Sequence, residues 1–70
     1  MADHVYSVSE IVGSSPGGID AAINNALGRA RKTLRHLDWF EVTEIRGHLK
    51  DDGEIDYYQV TLKVGFRLED

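Results

Sequence analysis

Apolar and polar positions change their period along this chain, and each change marks an element. From Val5 to Val12 the run "VYSVSEIV" is rich in β-branched and aromatic residues and is closed by "GSSPGG", which predicts a strand and then a turn. From about Gly18 the apolar positions are Ile19, Ala22, Ile23, Ala26, Leu27, Ala30, Leu34 and Leu37, three and four apart, so they form one stripe of a helix. Ser14 or Ser15 is placed to cap that helix with Pro16 in its first turn, and its end is expected near Arg35 or His36. Gly28 lies inside the helix but off the stripe, at a cost of about 1 kcal/mol relative to Ala that a close neighbour would explain.

Beyond the helix the period drops to two. "WFEVTEIRGHLK", Trp39 to Lys50, is a second strand and "EIDYYQVTLKVGFRL", Glu54 to Leu68, a third, joined at "DDG", whose Gly53 can take the positive φ of a tight hairpin. The third strand alternates cleanly, Tyr58, Val60, Leu62, Val64, Phe66 and Leu68 against Tyr57, Gln59, Thr61, Lys63, Gly65 and Arg67. The first set must meet the helix. Val42 and Ile45 are three apart and cannot share a face in an unbroken strand, so a bulge near Thr43 or Glu44 is expected. With it, Phe40, Val42 and Ile45 face the helix while Trp39, Glu41 and Arg46 turn outward. The fold class is α+β, in the order β-α-β-β: a three-stranded antiparallel sheet wrapped around one amphipathic helix, with residues 1–70 as a single domain.

That arrangement turns the largest apolar side chain outward, and composition sharpens the puzzle. A core this small rarely supplies more than about 3–5 kcal/mol, so a chain of 70 residues needs further support. There is no cysteine, which removes disulfides and thiolate metal sites and fits a reducing cytoplasm, leaving self-association. His4, His36 and His48 fall on different elements without metal-site spacing. Neither an export signal nor a run long enough for a membrane span is visible. Twelve acidic against eight basic residues, a net charge of −4, argue against nucleic acid.

The outward face gathers Trp39, Arg46, Gln59 and Arg67 beside Tyr57, Thr61 and Lys63. It offers a flat π-surface, an amide with donor and acceptor, and two guanidinium forks. These groups suit a planar, hydrogen-bonding heterocycle with an anionic tail. They suit a subunit interface equally, since Trp, Tyr and Arg are enriched there, and a pocket between subunits would use the same side chains for both. Arg29, Arg31, Lys32 and Arg35 cluster near the helix end, where cations complement the dipole or could hold a second phosphate-bearing ligand. Asp51–Asp52 and Glu69–Asp70 sit in a hairpin tip and a tail, where burial cannot raise their pKa, and no catalytic nucleophile stands out.

The segments "VYSVSEIVGSSP", "AAINNALGRARKTLRHLDWFEV" and "YYQVTLKVGFRLED" together resemble the dodecins, small flavin-binding proteins, over nearly the whole chain. The resemblance implies a hollow homododecamer with flavin between subunits, stacked on Trp39, hydrogen-bonded by Gln59 and flanked by Arg46 and Arg67. It implies FMN over riboflavin or FAD, since Arg46 follows the bacterial pattern, and coenzyme A on Arg29, Lys32 and Arg35. The implied role is flavin storage and quenching without turnover. The alternative is a structural shell in which the Trp39 face is only a subunit interface.

Overall fold

Four elements follow one another in the computed structural model, which describes residues 3–68: β1 (Tyr6–Ser15), α1 (Ile19–Thr33), β2 (Leu37–Leu49) and β3 (Ile55–Arg67). All strands pair antiparallel in the order β1-β3-β2, so the last strand is the central one. The β-α-β-β reading holds, with boundaries displaced by a few residues. Glu69 and Asp70 lie outside the described residues.

The turn into the helix differs from the expected cap. Ser15 Oγ accepts a hydrogen bond from the Gly17 amide at 2.9 Å, which tightens the "SPGG" turn and leaves Pro16 ahead of the helix. The N-cap is Gly18 at φ 130°, a conformation that side chains rarely adopt, with no side-chain hydrogen bond to the first turn. At the other end the helix stops at Thr33, sooner than expected, and Leu37 belongs to β2. His36, at φ 61°, helps reverse the chain, and its carbonyl accepts a hydrogen bond from the Arg67 amide at 3.0 Å.

The helix lies very close to β1. A Cβ on Gly13 would fall 2.8 Å from Ala26 Cβ and closer still to the Ala22 carbonyl, so both the glycine and the alanine stripe are required for the approach. Ala22, Ala26 and Ala30 are buried with Val60, Leu62 and Val64, while Ile11, Ile23, Leu27 and Leu37 border this core. Gly28 has no such reason. A Cβ there would meet only Arg31 Nη2, at an ordinary 3.7 Å.

The bulge at Thr43 is present, between the pairs Val42↔Leu62 and Glu44↔Thr61. It keeps Phe40, Val42 and Ile45 on the helix side of the sheet, as expected. Covering them is another matter, because α1 packs on β1 and β3 while β2 lies beside it. Fifteen helical residues reach about 22 Å, whereas thirteen strand residues reach about 43 Å, so the β2–β3 hairpin runs out past the helix. Phe40 is therefore 45% exposed and Ile45 54%. Tyr58 and Phe66 are half-buried and Leu68 is exposed beyond the strand end, so only the middle of the β3 row meets the helix fully. The molecule measures 57 × 20 × 14 Å with a radius of gyration of 14.7 Å, against about 11 Å for a compact chain of this length.

Candidate functional site

The pleat sends alternate residues of each strand to the helix-free side, and the register sets them in rows across the sheet. At one end are the rows Tyr6–Arg67 and Val8–Gly65–Trp39. In the middle, Lys63 stands between Glu10 and Glu41. At the far end are Ser14–Gln59–Arg46 and Tyr57–His48. The expected outward set Trp39, Arg46, Gln59 and Arg67 is thus on one face, but divided between its ends. From Gln59 to Gly65 along β3, at about 3.3 Å per residue, is roughly 20 Å.

The aromatic end is built on an absence of side chain. A Cβ on Gly65 would stand 2.6 Å from Trp39 Cδ2 and closer to Cε2 and Cζ2, so the indole lies flat on the bare strand. Trp39 remains 41% exposed, on the side turned away from the sheet. The Tyr6 ring flanks it at 6.2 Å with a 54° tilt, and His4 meets Tyr6 edge-on at 6.5 Å. The Tyr6 hydroxyl donates to Asp38 Oδ2 at 2.8 Å, and that bond, with some desolvation, raises the phenol pKa while Arg67 works against it. The indole is held as a platform. Its geometry fits a planar ring such as isoalloxazine, which would find one aromatic face ready and immobilised.

The amide end is a small network. Gln59 stands directly opposite Arg46, yet its Oε1 lies 2.7 Å from Nε2 of the diagonal neighbour His48. His48 in turn stacks on Tyr57, with ring centroids 4.3 Å apart and planes within 15°. Arg46 Nη2 instead approaches Glu44 Oε1 at 3.3 Å, an exposed pair of the kind that contributes little, and Thr61 Oγ1 donates to the same carboxylate oxygen at 3.5 Å.

Tyr6 and His48 belong to this face although sequence pattern does not single them out for it, and the alternation of β3 that puts Gly65 there does not say that the indole lies against it. A glycine inside an otherwise clean strand is the available signal, since such a residue marks close approach by another group. In the sequence His48 is one of three histidines without metal-site spacing; among the described residues no three His, Cys, Asp or Glu side chains are grouped to hold an ion. Of the three helix cations, Arg29 borders an open groove of about 590 Å³ between β1 and α1, whereas Lys32 and Arg35 are exposed outside it. Arg31 borders a second hollow, of about 240 Å³, with Leu27 and Trp39. No described helix is long and apolar enough to cross a membrane.

Comparison with known proteins agrees with this architecture. A family model described as "Dodecin" matches residues 5–69. A curated dodecin from Thermus thermophilus is 62% identical over 66 residues, covering 94% of each chain. The solved dodecin from Streptomyces davaonensis is similar with a TM-score of 0.92 at 56% identity, covering 99% of this chain and 100% of its own. A solved Thermus thermophilus dodecin in which a tryptophan is replaced by phenylalanine has a TM-score of 0.89 at 59% identity, covering 97% of this chain and all of its own.

Proposed function

Because the chain belongs to the dodecin family, we propose that it stores flavin, holding FMN between subunits of a hollow homododecamer and quenching the photochemistry of the bound ring. The observation that carries this reading is the indole of Trp39 laid on Gly65 with its outer face exposed. An indole stacked on an excited isoalloxazine donates an electron to it, and the electron returns with the energy lost as heat. No acid, base or nucleophile is needed for that cycle, so the protein is a binder and not an enzyme.

The division of the outer face supports a site shared between copies. An isoalloxazine is shorter than the roughly 20 Å between the Gly65 and Gln59 rows, so the indole under one flavin and the amide at its edge come from different subunits. Arg46 and Arg67 stand ready for the phosphate of FMN. Association itself has a physical reason in the uncovered row Phe40, Val42 and Ile45, because a lone chain leaves much of its apolar surface wet. Arg29, Lys32 and Arg35 complete the reading as the cations that would meet coenzyme A phosphates, and the setting is cytoplasmic.

Titration of FMN with the purified assembly, followed by flavin fluorescence, tests the proposal. Binding should nearly extinguish the emission. Trp39→Phe should keep the assembly, as the tryptophan-to-phenylalanine variant of the Thermus thermophilus protein keeps its fold, and should quench far less at saturation. Undiminished quenching by the assembled variant would refute the stacking role. The shell reading, favoured by the same exposed β2 row, instead expects a colourless parent protein and loss of assembly in Trp39→Ala.

A further inference from the structure

We propose that His48 is a positioning residue for Gln59, fixing which edge of the amide a ligand meets; this rests on the flavin reading above. An unrestrained glutamine presents either its carbonyl or its NH2, because the amide can turn over. Here Oε1 is held 2.7 Å from His48 Nε2, so the imidazole donates and both Nε2 hydrogens of Gln59 point away from the histidine. The imidazole cannot easily turn out of this bond, since Tyr57 lies parallel to it at 4.3 Å.

The sheet geometry explains why histidine, and not arginine, takes the amide oxygen. Arg46 is the direct cross-strand partner of Gln59, but its guanidinium leans toward Glu44 on its own strand. Diagonal neighbours on one sheet face remain within reach of long side chains, and His48 uses that diagonal. The consequence is a chemical preference. Gln59 offers hydrogen-bond donors, so the matching ligand edge carries acceptors, such as the carbonyl oxygens of an isoalloxazine. An edge presenting only N–H groups would leave the amide hydrogens unmatched. Arg46, left out of the Gln59 bond, stays available for an anionic tail.

The test uses the whole assembly. A solid-state 15N spectrum of histidine-labelled, flavin-free protein contains three imidazoles, which His4→Phe and His36→Asn variants assign; the His48 Nε2 signal should be that of a protonated nitrogen. His48→Phe keeps an aromatic ring on Tyr57 but cannot donate. It should weaken FMN binding about three- to tenfold, the range for one hydrogen bond, raise the carbonyl stretching frequency of bound FMN, and leave subunit number and quenching at saturation unchanged. His48→Gln, which can donate again, should recover part of the affinity and the lower frequency. An unprotonated His48 Nε2, or a His48→Phe variant with parental affinity and carbonyl frequency, would overturn the inference. A parent protein that binds no FMN would overturn the flavin reading instead, while the histidine spectrum still decides the His48–Gln59 bond.

Discussion

Trp39 and Gly65 face each other across β2 and β3, and the indole occupies the volume that any side chain at Gly65 would need. The pair is a single device: the glycine supplies a flat bed, and the tryptophan lies on it with its other side exposed.

Gly65→Ala should therefore act on the tryptophan. The added methyl must lift the indole or bend the central strand, at about 1–3 kcal/mol for overpacking. FMN affinity should fall at least tenfold, with a changed tryptophan emission in the flavin-free protein. A Gly65→Ala variant with parental emission and FMN affinity would contradict the geometry.

The Tyr6–Asp38 hydrogen bond adds a dependence on pH. Because the phenol pKa is raised from its ordinary 10.0 by its bond to Asp38, the folded state favours the neutral phenol. Its contribution is complete below the ordinary value and is lost as pH rises through the raised one. A spectrophotometric titration of the tyrosines should show one phenol ionising later than an unperturbed tyrosine. Asp38→Asn, which keeps an acceptor but removes the charge, should bring that phase down.

The two helix-side glycines should respond in opposite directions. Gly13→Ala drives a methyl into the Ala22 carbonyl and Ala26, backbone and short side chain that cannot swing aside, and should destabilise by about 1–3 kcal/mol. Gly28→Ala meets only the tip of Arg31 and gains helix propensity of about 1 kcal/mol. Thermal melts at one fixed protein concentration, so that any association weighs equally on each melt, should place the two variants on either side of the parent.

Ile45→Glu tests the uncovered row on β2. The side chain is 54% exposed in the single chain, so a charge there barely affects the fold of one copy. Buried between copies, the same charge would be desolvated without a partner. Native mass spectrometry should show a sharp loss of the largest species in favour of small ones, and an unchanged distribution would exclude this row from the assembly.

Much of this is written in local pattern. The period of two in β3 assigns every outward and inward residue, and the three-residue gap between Val42 and Ile45 locates the bulge. Loop chemistry is legible at Gly53, whose φ of 88° closes the hairpin. The cap is not, because a serine before "PGG" can bond within its own turn as readily as to a helix, and the local sequence does not separate the two.

What the sequence determined by itself was the set of faces, because alternation and helical period follow from covalent geometry and need no distant partner. Tertiary structure decided the distances between those faces. The central place of β3 depends on which strand edges pair. The reach of α1 over the sheet, which leaves Phe40 and Ile45 uncovered, depends on how closely Gly13 admits the helix. The separation of Trp39 from Gln59, and the capture of Gln59 by His48 in preference to Arg46, depend on register and on competition among neighbours. These are balances between residues far apart in the chain, so they appear only when the strands are laid side by side.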